Sequence, residues 1–176
     1  MFKRPALTMA LLCASVSAVA DVKDTGYIGI GFGSVDYDAD SISSFNDPTG
    51  FELLVGKEIN RNLSFELSYI DFGEADDGVA PVWRLEGSSL TAGALIRARA
   101  GQTADVFLKL GMHSWDIDLT EDGVGIISSD DGTDIFYGFG VSVKASKSIG
   151  IGARYNVYDF DGNDVSMLSV HAQLSF

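Results

Sequence analysis

The sequence predicts an all-β protein, an eight-stranded antiparallel up-and-down barrel that crosses a membrane. Three observations carry this. After residue 20 the chain alternates apolar and polar residues with period 2 almost throughout. The connections between the alternating runs are short at one end and mostly long at the other. Nothing after residue 20 approaches the run of roughly 18 apolar residues that a membrane helix needs, nor the i, i+3, i+4 stripe of an amphipathic one.

The first element is a leader. Lys3 and Arg4 precede the apolar run Ala6 to Cys13, and Ala18-Val19-Ala20 supplies small residues at the expected cleavage site, the pattern of a secretory signal. This divides the chain into a signal peptide, residues 1–20, and a barrel domain, residues 21–176. Cys13 is the single cysteine, so the exported protein is expected to hold no disulfide, thiolate metal site or cysteine nucleophile. Leu12 before it argues against a lipoprotein signal.

Eight strands follow in phase. Ile28, Ile30 and Phe32 oppose Gly29, Gly31 and Gly33, and Phe51, Leu53 and Val55 oppose Glu52, Leu54 and Gly56. Leu63, Phe65, Leu67 and Tyr69 oppose Ser64, Glu66 and Ser68; Leu90, Ala92, Ala94, Ile96 and Ala98 oppose Thr91, Gly93, Leu95, Arg97 and Arg99. Val106 to Met112, Ile135 to Val143, Ile149 to Val157 and Leu168 to Phe176 repeat the two-faced pattern. If like faces meet across each hairpin, short turns fall at Asn60 to Asn62, Gln102 to Ala104 and Ser146 to Ser148. The other connections, Asp36 to Thr49, Asp71 to Glu86, Asp116 to Asp134 and Asp159 to Asp164, read as loops rich in Asp, Gly and Ser. The asymmetry matches turns in the periplasm and loops outside.

Charge sorts by face and by end. The formal net charge of −13 grows more negative once Lys3 and Arg4 are removed, which excludes a nucleic-acid surface. Most of the 25 acids lie in the four long connections, with Arg84 their only base. Glu52, Glu66, Arg97, Arg99, Lys109, Lys144 and Arg154 share the polar face with many glycines, which leave room for long side chains inside a narrow barrel. These seven form the expected interior ion-pair network, with Glu66 paired to Arg97 at similar depth and also balancing Lys109. A static network that satisfies buried charge is preferred to a gate that passes ions. A soluble ligand carrier of the lipocalin kind also alternates, and the glycine-rich polar row argues against it.

These features resemble the small outer-membrane β-barrels related to the transmembrane domain of outer-membrane protein A. The resemblance rests on the signal peptide, the eight strands, segments such as Gly50-Phe51-Glu52-Leu53-Leu54-Val55-Gly56 and Leu63-Ser64-Phe65-Glu66-Leu67-Ser68-Tyr69, and the terminal Phe176. It implies an integral protein of a Gram-negative cell outer membrane, surrounded by lipid and lipopolysaccharide and monomeric. The role it implies is mainly structural or surface-interacting, without a wide pore. By the same resemblance, Val170, Ala172, Leu174 and Phe176 are similar to the signal read by the barrel-assembly machinery. Adhesion or ligand binding through the acidic loops, and lipid-A modification, stay open as alternatives.

Remaining motifs are weaker. Outer-leaflet deacylases of the family pattern resemble a His-x-Ser pair, whereas His113 is followed by Trp115 and His171 by Gln173, so no catalytic residue is assigned. Both histidines are expected inward and hydrogen-bonded. Trp83, Trp115, Tyr69, Phe72, Tyr137, Tyr155, Tyr158 and Phe160 gather toward the loop ends and are expected to form an interfacial girdle. No cofactor is expected beyond weak Ca²⁺ or Mg²⁺ at the loops. Asp36, Asp38, Asp40 and Asp47 approximate a calcium loop, though Ser41 stands where a glycine belongs.

Overall fold

The computed structural model describes residues 26–38, 46–79 and 82–176. The signal segment and Asp40 lie outside the described residues. Eight strands form, β1 (Gly26–Asp38), β2 (Thr49–Glu58), β3 (Leu63–Asp76), β4 (Trp83–Ala100), β5 (Ala104–Glu121), β6 (Gly125–Lys144), β7 (Ile149–Phe160) and β8 (Asn163–Ser175). Each pairs antiparallel with its neighbours, and β8 returns to β1 through pairs such as Phe32 with Val170 and Ile30 with Ala172, closing the ring. Closure is what lets backbone polar groups sit in hydrocarbon, because every strand then finds partners on both sides.

The period-2 pattern turns one face outward. Ile28, Ile30, Phe32, Phe65, Leu90, Ile96, Leu108, Leu110, Phe139 and Val170 all stand exposed on the outer wall. Water would not tolerate so continuous an apolar belt; a bilayer requires it. Polar residues bound the belt at the hairpin end: Asp36, Asp71, Ser88, Ser114, Thr133 and Ser166. Between Ser88 and Ala98 lie nine residues of β4, and nine residues at about 3.4 Å, tilted by about 40°, span about 23 Å, close to the apolar height of outer-membrane barrels.

Inward glycines make room for rings and long chains. A Cβ on Gly56 would run into the Tyr27 ring, and one on Gly140 into Phe107. Those positions are therefore set by close approach.

The connections differ from expectation in an ordered way. Short turns occupy residues 59–62, 101–103 and 145–148. The second is shifted by one, because Ala104 already pairs with Ala100 and Gly101 takes the positive φ that the turn needs. The segments expected as loops are largely strand. Asp116 pairs with Asp131 and Asp118 with Ser129, so the expected 116–134 loop is a hairpin turning at residues 122–124. Likewise β3 continues to Asp76 past a bulge between Asp71 and Glu74, and β7 meets β8 through a tight turn at Asp161-Gly162, both with positive φ. β1 reaches Asp38. The physical reason is an inversion of polarity. Past the belt the outer face meets water, so Asp116 and Asp118 point outward while Trp115 and Ile117 join the inner core. Acid-rich sequence there marks a solvated strand face.

Candidate functional site

What a barrel can do depends on what fills it. At the turn end, Arg97 Nη1 donates to Glu58 Oε1 at 2.7 Å, and its Nη2 donates to the Tyr27 hydroxyl at 3.2 Å. Tyr27 in turn donates to Glu66 Oε2 at 3.3 Å. Above this lies a belt of four fully buried charges. Glu66 Oε1 receives Lys109 Nζ at 2.5 Å and Arg154 Nη1 at 2.9 Å, and Glu52 Oε1 lies 3.3 Å from Arg154 and 3.6 Å from Lys109. Two acids and two bases cancel, so the lumen holds formal charges without net charge. Lys109 Nζ also sits 5.2 Å from the Phe136 ring centre, and the Arg154 guanidinium 5.7 Å from that of Phe107.

Three of the seven expected network members lie elsewhere. Arg97 pairs with Glu58 rather than Glu66, because Glu66 is opposite Gly93 in the β3–β4 register while the Arg97 amide donates to Asn62 at the turn. Arg99 is nearer that turn still, its side chain 63% exposed and 3.9 Å from Asp105. Lys144, the last residue of β6, is exposed. Inward phase at a strand end points past the rim into water.

Toward the hairpin end the lumen is closed by an apolar core of Val35, Ile70, Phe72, Trp115, Phe136, Tyr158, Phe160, Val165 and Met167. Its rings interlock, with Trp115 and Phe160 centres 4.8 Å apart, Phe72 and Tyr158 5.2 Å, and Phe136 and Tyr158 5.5 Å. This corrects the expected girdle. Phe72, Trp115, Tyr158 and Phe160 are inside, as the phase of their strands requires, whereas Tyr137 stands outward, Trp83 is exposed at the first position of β4, and Tyr69 and Tyr155 are half-buried.

Beneath this plug lies a contact that the sequence did not reveal. His113 Nε2 donates to the Asp159 carbonyl at 2.8 Å, leaving Nδ1 of the neutral ring to accept from the Ser89 hydroxyl at 2.9 Å. Serine and histidine so joined are the start of a nucleophile. Both are 1% exposed, and Phe136, Tyr158 and Phe160 pack against the imidazole edge-on. An acyl chain in the surrounding lipid has no route to them. Ser89 and His113 are 24 residues apart in sequence, on adjacent strands, and only register unites them. His171 is also buried, against Phe107.

The outer surface carries the other expected groups. Val170, Leu174 and Phe176 are exposed outward, Ala172 shares their row, and the Phe176 amide donates to the Gly26 carbonyl at 2.9 Å. Asp36 and Asp47 are exposed, and Asp38 ends β1. Among the described residues no group of three or more His, Cys, Asp or Glu could hold a metal ion. On the hairpin end Arg84 binds Glu74 at 3.1 Å and Asp122 at 2.6 Å. Partial loss of hydration, then a hydrogen bond with Glu74 and the charges of Glu74, Asp118 and Asp71, raise the Glu86 pKa above the usual carboxylate range.

A closed ring with an apolar belt, a neutral charged waist and an aromatic plug defines a membrane-spanning β-barrel with a filled lumen. The chain matches the outer membrane protein beta-barrel domain family over residues 6–176, and it belongs to that family. Solved structures of similar fold include the attachment invasion locus protein Ail of Yersinia pestis, in complex with the heparin analogue sucrose octasulfate. It is 21% identical, with 88% of this chain and 100% of that one covered and a TM-score of 0.61. The N-terminal β-barrel domain of Pseudomonas aeruginosa OprF is 14% identical over 85% of this chain and 97% of that one, with a TM-score of 0.61. The outer membrane enzyme PagL is 12% identical over 84% and 98%, with a TM-score of 0.52. No curated protein matches the chain.

Proposed function

We propose that the protein is an integral structural and surface-interaction component of a Gram-negative-type outer membrane, exported by a cleavable signal ending at Ala20. Its short turns lie in the periplasm and its acidic hairpins outside. The observation that carries the reading is the filled lumen: the belt of Glu52, Glu66, Lys109 and Arg154 is followed immediately by a ring-packed plug. Eight strands enclose just enough space for side chains, and here they occupy it.

Two family alternatives fit less well. Ail was solved with a sulfated, anionic ligand; the hairpins of this chain carry Asp116, Asp130 and Asp131 exposed and Asp118 half-buried, a surface that repels polyanions. PagL is an outer membrane enzyme; a lipid-A-modifying activity in this chain would need a nucleophile within reach of lipid, and Ser89 and His113 are sealed. The folded protein in planar bilayers is expected to hold no steady open channel, and in SDS gels to migrate as a compact band that shifts on boiling. A sustained wide-pore conductance would overturn the filled-lumen reading, and acyl release from purified lipopolysaccharide would overturn the non-enzymatic one.

A further inference from the structure

The ring of strands is closed only at the height of the belt. β6 pairs with β7 from Phe136 onward, and β7 stops at Phe160, whereas β6 begins at Gly125. In that register Phe160 falls opposite Asp134, so residues 125–133 of β6 stand beyond their neighbour. They pair with β5 on one side, and among the described residues no strand pairs with them on the other. That is a free edge of roughly 30 Å, at about 3.3 Å per residue.

The edge is armed for pairing. The Lys144 amide donates to the Thr103 carbonyl on the β5 side, and no register shift separates Lys144 from Ser128. By alternation the odd-numbered residues, among them Ser129, Asp131 and Thr133, aim their N–H and C=O groups away from β5. The Asp131 amide accordingly donates to the Asp130 carboxylate at 3.0 Å, a solvent-side contact a ladder bond would replace. At the tip Val124, Ile126 and Ile127 are exposed.

The geometry points to this edge as a docking site for an extended, cationic segment of a partner polypeptide, added as an extra antiparallel or parallel strand beside β6. It rests on the reading that the hairpins face the outside. Charge selects the occupant. Two copies of this chain meeting edge to edge would set Asp130 and Asp131 against their counterparts, which like charges across strands oppose. A strand with alternating basic and aliphatic residues instead meets these acids and the Ile126–Ile127 tip, while its backbone completes the ladder. Arg84, the one base of the hairpin end, is already engaged by Glu74 and Asp122.

The test uses the folded, full barrel in nanodiscs and a fluorescent peptide of about nine residues alternating Lys and Val, matched to the edge. A second peptide has every other amide N-methylated, keeping charge and removing ladder donors. The first is expected to bind at least about tenfold more tightly than the second. Ser129→Pro, which blocks the edge at a position whose N–H has no strand partner, should weaken binding by a similar factor, and Asp130→Asn with Asp131→Asn should lower affinity and flatten its salt dependence. Equal binding of both peptides would reduce the effect to charge alone and overturn the proposal. Absence of binding, or salt-insensitive dimerisation through β6, would overturn it too. The peptide pair decides even if Ser129→Pro does not fold. Protease cleavage at a site inserted at residues 122–124 in whole cells tests the orientation separately, since micellar or nanodisc binding does not depend on which side the hairpin faces.

Discussion

Replacing Glu66 by Gln leaves Lys109 and Arg154 to share one carboxylate, Glu52, in a waist without exposure to solvent. At an effective dielectric of about 20, unit charges about 4 Å apart attract by about 4 kcal/mol. Glu66 makes two such contacts. Gln avoids the carboxylate's desolvation, ends its repulsion with Glu52 and keeps its one oxygen as acceptor for Arg154, with its NH2 turned to donate to the Tyr27 oxygen. The remainder falls in the range of about 3–5 kcal/mol found when one partner of a buried pair is removed. Lys109→Met should cost a similar amount by leaving two acids to one base. The double variant keeps a neutral Glu52–Arg154 pair and should lose much less than the sum, with a coupling of about 3 kcal/mol. A parallel cycle of Glu66→Gln with Arg97→Gln should be nearly additive, since those residues touch only through Tyr27. Urea unfolding of the barrel in lipid vesicles, followed by tryptophan fluorescence, gives all the values. Additivity within about 0.5 kcal/mol in the Glu66–Lys109 cycle would refute the compensated waist.

Trp115→Ala removes a plug ring and its Nε1 bond to Asp134 at 2.8 Å, and should destabilise the barrel by about 3–5 kcal/mol. Tyr137→Ala, on the lipid-facing wall, should cost clearly less in the same vesicle unfolding assay, and equal losses would deny the plug its role. The Glu86 carboxyl, raised in the folded protein, takes up its proton there before it does in the unfolded chain. The β3–β4 extension should therefore gain stability as pH falls from neutral through the folded value, and lose that gain as pH rises through it. Glu86→Gln should flatten this dependence, read as amide-exchange protection factors of residues 83–88; an unchanged pH profile would contradict it. Deleting Phe176 should slow appearance of the heat-modifiable band in cells far more than it lowers the unfolding free energy, and unchanged outer-membrane levels would refute an assembly role.

Phase was legible in the sequence because the side-chain period of a strand is 2 and lipid outside a narrow barrel makes the two faces chemically opposite. Alternation placed Ile28, Phe65 and Leu110 outward and Glu52, Glu66, Lys109 and Arg154 inward. It also placed Trp115 and Phe160 inward, although aromatic residues near a membrane boundary suggested a girdle. Depth was not legible. Counting from strand ends set Glu66 level with Arg97, but hairpins in a tilted barrel are staggered, and the β3–β4 register puts Arg97 opposite Asn62, four residues below Glu66's partner Gly93. The Ser89–His113 contact and the union of Glu66 with Arg154, 88 residues away, depend on the same stagger and on ring closure. Strand length beyond the membrane was hidden because the apolar signal inverts in water, so Asp116 to Asp134 read as a loop. The free edge of β6 follows from the unequal lengths of β6 and β7, a relation between strands that only the assembled barrel decides.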